Sequence, residues 1–322
     1  MTTWSPPSAD RAATSPRTRL RIVVRTNPDK AGPIVGALRD AGHELVDDVG
    51  ANGDVVLSDL HPSYGKIWEL MERVGRTILY PHSAWPTLHC DGVYPVHPSV
   101  EAAFVVGEGS RQVLEAVGFS PPTYAVGWPY GELLPMRTTT PRRVLFGANH
   151  PDRLGHLALR QRIDNERIVD ELVDGGFEVT VRHVGTLRQN GLQRRPGVRY
   201  HAAGRNGAGI ARPPEDDLAE ADVVVSCGTF AHRSLALGIP TVMCKQSEWM
   251  SDGLRPGQPG YLRQWSRYAH LLHFPYDADD DLAGTVRAAA ADPGPAEEWR
   301  RRFLGEPFDP AAFVRRFEEV AG

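Results

Sequence analysis

The sequence predicts an α/β protein made of two Rossmann-like, doubly wound domains that face each other across a cleft. Three observations lead there. Short apolar runs recur along the chain without polar alternation, as suits strands of a parallel sheet covered on both faces. The stretches between several of them have helical length and spacing, so strand and helix alternate in the manner of right-handed crossovers. The alternation is interrupted at the Thr-rich, Pro-containing stretch 138–141 and then begins again. A chain of 322 residues is long enough for two such domains, each with its own core.

The elements follow in order. Residues 1–18 are rich in Ser, Thr, Pro and Arg and hold no apolar stretch, so they are expected as a disordered tail and not as a secretory signal. The first domain is expected over 19–137. Its strands are 20–25, 54–58, 77–80, 103–106 and 123–126. Its helices are about 31–41, stopped by Gly42, then 67–73, and 110–117, stopped by Gly118. The segment from Gly127 to Pro135 closes the domain. The second domain is expected over 138–322. It opens with a strand at 143–147, a loop at 148–154, a long helix around 160–174, Gly175-Gly176 and a strand at 178–183. Two amphipathic patterns, near 282–291 and 311–320, end the chain. The last helix is expected either to pack on its own domain or to cross back to the first.

The most informative stretch runs from Leu218 to Met243. It reads as a helix end, a buried strand, a tight turn over Ser226–Phe230, a short helix and a second buried strand. In open α/β sheets, ligands lie beyond the carboxyl ends of strands, where helix N-termini present unpaired N–H groups to phosphates. The turn fits that task. Gly228 permits close approach, and Ser226 and Thr229 bring hydroxyl donors.

Composition bounds the function. Apolar content of 41% and charged content of 24% are those of a soluble globular protein. A net charge of -4 leaves no overall footprint for nucleic acid, which asks for a basic face. The cations are nearly all Arg, with Lys only at 30, 66 and 245, a bias that is mostly compositional, with some arginines suited to phosphate. Cys90, Cys227 and Cys244 have no metal-type spacing and are expected as free, mostly buried thiols of a reducing compartment. No run approaches the ~20 apolar residues of a membrane span, and the expected location is cytoplasmic. No phosphate loop of the Gly-x4-Gly-Lys-Ser/Thr type, His-Glu-x-x-His motif or Gly-x-Ser-x-Gly elbow occurs. The glycine pairs at 107/109 and 207/209 fall short of a dinucleotide fingerprint. Asp279, Asp280 and Asp281 precede a helix and suit capping.

The stretch from Ala221 to Val242 resembles the donor-binding turn of the GT-B glycosyltransferases and their relatives, the UDP-N-acetylglucosamine 2-epimerases and polyol-phosphate transferases. Ser226, Gly228, Thr229, Leu235, Ala236, Leu237, Gly238, Ile239 and Pro240 fit their pattern. The exit from Gly127 to Pro135 is similar to theirs as well. One departure stands out: Arg233 occupies the place of the Glu that holds the donor ribose. A carboxylate accepts two hydroxyl bonds, whereas a guanidinium only donates and prefers phosphate or carboxylate.

The resemblance implies a metal-independent glycosyltransferase that moves a sugar from a nucleotide-diphosphate donor to a hydroxyl-bearing acceptor. The nucleotide-sugar is then a substrate, and no cofactor is expected. It places Ser226, Gly228, Thr229, Phe230 and Arg233 on the donor side. His150 and Arg153, after the first strand of the second domain, would approach the phosphates. His183 would approach the base, with Arg182 alternating to the other face. Lys245 and Gln246 would line the sugar. On the acceptor side, His82 follows the third strand in a turn similar to one that precedes the acceptor pocket in these families. His is suited to remove a hydroxyl proton near neutrality. His82 is the first catalytic candidate, and Asp59 and His61, after the second strand, are the next. Structural roles for these histidines stay equally open. So do three other activities: polyol-phosphate transfer, nucleotide-sugar epimerisation through acids such as Asp59, Asp91 and Glu108, and ligand binding without turnover.

Overall fold

A computed structural model describes residues 19–26, 28–48, 50–58, 65–80, 97–116, 119–148, 155–203, 214–226, 228–244, 275–276 and 281–322. Two parallel six-stranded sheets organise them.

The first sheet is built from β1 (Arg21–Arg25), β2 (Glu44–Val46), β3 (Val55–Ser58), β4 (Thr77–Leu79), β5 (Val100–Val105) and β6 (Thr123–Ala125). Helices α1 (Pro28–Asp40), α2 (Gly65–Val74) and α3 (Glu108–Ala116) connect them. The strand order is β2-β1-β3-β4-β5-β6. The order reverses between β1 and β3, which makes that crevice the topological switch point. Alternating side chains divide between the faces. Ile22, Leu57, Ile78 and Phe104 join α1 in one core cluster, while Val23 and Val56 meet Leu70 of α2 in another. Helix α1 begins at Pro28, three residues before the sequence suggests. Proline is well suited to the first helical position because it lacks only an N–H that would be unbonded there.

The second sheet contains β7 (Arg143–Ala148), β8 (Glu178–Val184), β9 (Arg199–Ala203), β10 (Val223–Ser226), β11 (Thr241–Cys244) and β12 (Pro275–Tyr276). Its helices are α4 (Gly155–Asp174), α5 (Pro214–Glu220), α6 (Gly228–Ala236), α7 (Leu282–Ala291) and α8 (Gly294–Phe303). The order β12-β11-β10-β7-β8-β9 is that of dinucleotide-binding sheets, with its switch point between β7 and β10. Helices α4 and α7 cover one face through Ile168, Leu172, Val286 and Ala290. The other face meets Leu218 of α5 and Phe230 of α6. Asp281 caps α7, accepting a bond from the Gly284 N–H at 2.8 Å.

The final helix, α9 (Pro310–Ala321), packs on the first sheet. Phe313 meets Phe104 edge-on with 5.3 Å between ring centroids, and Phe317 and Ala321 are fully buried beside them. Arg76 fastens the helix end. Its guanidinium binds Glu101 through two nitrogens and donates to the carbonyls of Val320 and Ala321, a cation where the helix dipole is negative. The chain therefore passes between the sheets twice, and the two passages are tied together. The Trp128 N–H donates to Glu306 O at 2.8 Å and the Phe308 N–H to Trp128 O at 3.2 Å. Gly127, at φ +86°, allows this approach: a Cβ there would sit 2.5 Å from Glu306 O.

Among the described residues no helix is long and apolar enough to cross a membrane.

Candidate functional site

Strand β10 ends at Ser226 and α6 starts at Gly228, beside the crevice where the order of the second sheet reverses. The helix begins inside the stretch that the sequence suggests as a turn, so Gly228, Thr229 and Phe230 form its first turn. Their N–H groups are therefore among the four that a helix leaves without an internal acceptor. An anion placed there gains roughly 0.3–1 kcal/mol from the helix dipole, and more where partly buried.

Gly147 of β7 makes this placement possible. A Cβ on it would lie 2.8 Å from Cδ1 of Phe230 and 3.0 Å from Cβ of Ser226. The Ser226 hydroxyl, fully buried, donates to Gly147 O at 3.2 Å. The two strands flanking the crevice are thus joined just below the start of α6. Ser226 serves as that tie, and its hydroxyl is committed. Sequence reasoning passed over Gly147, whose only signal is a glycine inside a buried strand, a common mark of close backbone approach.

The Phe230 ring turns inward and packs in the cluster with Leu145 and Leu218, so its backbone is what faces outward. The Arg182 guanidinium lies 5.9 Å from the centre of that ring. Arg182 is itself buried, bound to Asp217 of α5 at 2.6 Å, and the other oxygen of Asp217 meets Nδ1 of His201 at 2.6 Å. The Asp217 side chain is completely buried, so these two close polar contacts replace its hydration and clamp α5 over β8 and β9.

His183 alternates with Arg182 and is also buried. Its Nδ1 stands 3.0 Å from the carbonyl of Gly185. A carbonyl only accepts, so Nδ1 carries the proton and Nε2 is left as an acceptor. Burial pushes the imidazole below its usual pKa, with the charge of Arg194 adding to the effect against the Gly185 bond.

Arg233 stands in the second turn of α6. It forms an ion pair with Glu215 of α5 at 3.0 Å. Tyr130, on the passage between the sheets, senses the Arg233 charge; burial nevertheless pushes its phenol up to about 12. Tyr80, directly after β4, is fully buried and its pKa is raised well above that of a free phenol, first by burial and then by Tyr130. The two hydroxyls interact with each other, and each shifts the other's titration. His232, next along α6, packs its ring 5.2 Å from that of Trp299 in α8.

The remaining candidates lie outside the described residues: Asp59, His61, His82, Asp91, His150, Arg153, Lys245 and Gln246. What the fold gives is where they leave the sheets. Asp59 and His61 follow β3, which flanks the switch point of the first sheet. His82 follows the adjacent β4. His150 and Arg153 come after β7 in the chain, and β7 flanks the switch point of the second sheet. The side chain of Thr229 likewise lies outside what the structure describes. Glu108, one of the acids an elimination would need, opens α3 and is bound by Arg111, which holds its carboxyl below the usual range. Among the described residues no group of three His, Cys, Asp or Glu is placed to hold a metal ion.

Comparison with solved structures finds a similar fold over most of the chain. The S. aureus MnaA–UDP co-structure aligns over 93% of this chain and 96% of that one, with a TM-score of 0.53 at 9% identity. The chain has the GT-B fold. CalG4, the calicheamicin glycosyltransferase, aligns over 94% of this chain and 98% of its own, with a TM-score of 0.47 at 14% identity. Spinosyn rhamnosyltransferase SpnG complexed with spinosyn aglycone aligns over 92% and 100%, at 0.46 and 13%. At such identities the likeness concerns the fold and not the substrate. No family model matches the sequence, and no curated protein matches it.

Proposed function

We propose that the chain is a glycosyltransferase that takes a sugar from a nucleotide-diphosphate donor to a hydroxyl acceptor without requiring a metal ion. One observation carries this reading: α6 begins at the switch point of the second sheet, immediately above a glycine whose missing Cβ makes room for Ser226 and Phe230 and so lets the helix start close against β7. That arrangement suits a leaving diphosphate. The UDP in the MnaA structure supports a nucleotide as the ligand class.

In this reading the acceptor hydroxyl loses its proton to a base of the first sheet as its oxygen bonds to the sugar's anomeric carbon. The bond from that carbon to the diphosphate breaks, and the diphosphate leaves with the electron pair. Charge growing on it is met by the N–H groups of Gly228, Thr229 and Phe230, an arrangement that needs no divalent ion. His82 is the favoured base, with His61 and Asp59 as the alternatives. His183 offers Nε2 to the nucleoside, and Arg153, His150, Lys245 and Gln246 are assigned to the phosphates and sugar.

The experiment is thermal denaturation with UDP, TDP, GDP and CDP and their sugar conjugates, followed by assay of nucleotide release with hydroxyl acceptors. A ligand at a hundred times its Kd stabilises the fold by about 2.7 kcal/mol. A melting shift with one nucleotide family and nucleotide release upon adding an acceptor is the expected result. Absence of any shift would sink the proposal, and binding without release would leave a ligand-binding protein in its place.

A further inference from the structure

The Glu215–Arg233 pair joins two helices at the carboxyl end of the second sheet's strands, where the donor would lie. Side chains of an α-helix lean toward its N-terminus, so Arg233 reaches back over the turn that contains Thr229. Its partner fixes how far it reaches. Glu215 is the second residue of α5, and α5 starts at the same end of the sheet as α6. The guanidinium is therefore held beside the first turn of α6, within the electrostatic reach of Tyr130 on the passage between the sheets. The pair is exposed, 40% for Arg233 and 57% for Glu215. Exposed pairs of this kind contribute little and open readily.

We infer that Glu215 is a displaceable latch on Arg233: in the empty protein it holds the guanidinium, and a diphosphate at the start of α6 takes Arg233 from it. This rests on the proposed donor site and adds to it a residue that tunes affinity. A dianionic diphosphate offers more charge and a second pair of oxygens to the planar guanidinium, so exchange from a solvated carboxylate is downhill. Glu215 thereby sets a threshold that a singly charged ligand clears less easily, and it acts only through Arg233.

The test is calorimetric titration of the full chain with inorganic pyrophosphate and, separately, with UDP. Glu215→Gln should bind pyrophosphate about two- to five-fold tighter than the parent, the worth of an exposed pair. Arg233→Gln should bind it about ten-fold or more weakly, as loss of a bond to a charged group does. The double variant should match Arg233→Gln alone. Unchanged pyrophosphate affinity in Glu215→Gln overturns the latch, as does unchanged affinity in Arg233→Gln. Weaker UDP binding by Glu215→Gln, with pyrophosphate unaffected, also overturns it, because the carboxylate would then serve the nucleoside directly. If the parent binds neither probe nor any other nucleotide, the proposed donor site fails first and the latch with it.

Discussion

The carbonyl group of Pro135 lies across Gly238 so closely that a Cβ on the glycine would stand 2.9 Å from the Pro135 carbonyl carbon. This is where the first passage between the sheets is fastened to the far end of α6. The Leu134 N–H donates to Ala236 O at 2.7 Å and the Arg137 N–H to Gly238 O at 2.9 Å. Arg137 also bonds to the carbonyl of Ala221. Helix α6 thus has its N-terminus at the candidate donor site and its C-terminus bound to the connection between the lobes.

Gly238→Ala meets two penalties at once. The residue sits at φ +69°, and the added carbon collides with backbone, which cannot swing aside as a side chain does. The conformational penalty alone is about 1–2 kcal/mol. The variant should lose roughly 2–4 kcal/mol in urea denaturation, in the range of substitutions that force backbone strain. A loss within 0.5 kcal/mol, about that of an ordinary surface change, would show that the passage is not held there.

Gly147→Ala should separate site geometry from fold. The methyl would push Phe230 and Ser226 outward and with them the first turn of α6. Overpacking of this kind costs about 1–3 kcal/mol of stability, so the variant should still fold. Titration with UDP should show affinity down at least ten-fold. Parent-like affinity would place nucleotide binding elsewhere.

His183 gives a pH dependence whose sign is fixed by its burial. Its folded-state pKa is below the ordinary 6.5. Between those two values the unfolded chain holds a proton that the folded chain lacks, so stability rises with pH through that window. The contribution is complete above 6.5 and is lost as the pH falls toward the folded value. Urea denaturation at pH 7.5 and 5.5 should show a smaller loss on acidification for His183→Gln than for the parent. Equal losses would remove this histidine from the acid sensitivity.

Phe317→Ala should reveal what α9 contributes to the first lobe. The ring is fully buried, 6.2 Å from Phe104 and 5.9 Å from Phe313. Truncating a buried phenylalanine costs about 3–5 kcal/mol. Limited proteolysis should find the first lobe cut before the second in this variant. Loss of less than about 1 kcal/mol would mean that the core closes around the space.

Much of this architecture was legible because strands buried inside a sheet announce themselves. Val55–Ser58, Arg143–Ala148 and Val223–Ser226 are apolar runs whose burial follows from lying inside a covered sheet. Edge strand β6 was legible, but edge strands β2 and β9 were not. Glu44–Val46 is three residues long, and Arg199–Ala203 alternates polar and apolar groups, a pattern that says little without knowledge of its neighbour. Helix α8 was hidden by its run of three arginines, although Trp299 is buried beneath them.

The glycine bend after β10 and its helix could be read locally, since both depend on residues close in sequence. The contacts that complete the site could not. Gly147 meets Ser226 only after strands far apart in the chain have paired, and Glu215 meets Arg233 only once the two helices flanking β10 have packed together. The destination of α9 was open for the same reason: its apolar stripe fits either sheet, and Arg76, Phe104 and Glu101 decide between them.

The return of α9 has a consequence for how the protein is made. Ribosomes add about 5–20 residues each second, so β6 leaves the exit tunnel roughly 10–40 s before α9 does. Throughout that interval the nascent first lobe shows water the aromatic surface around Phe104, a surface that holdase chaperones favour. Its maturation therefore waits on translation of the other lobe.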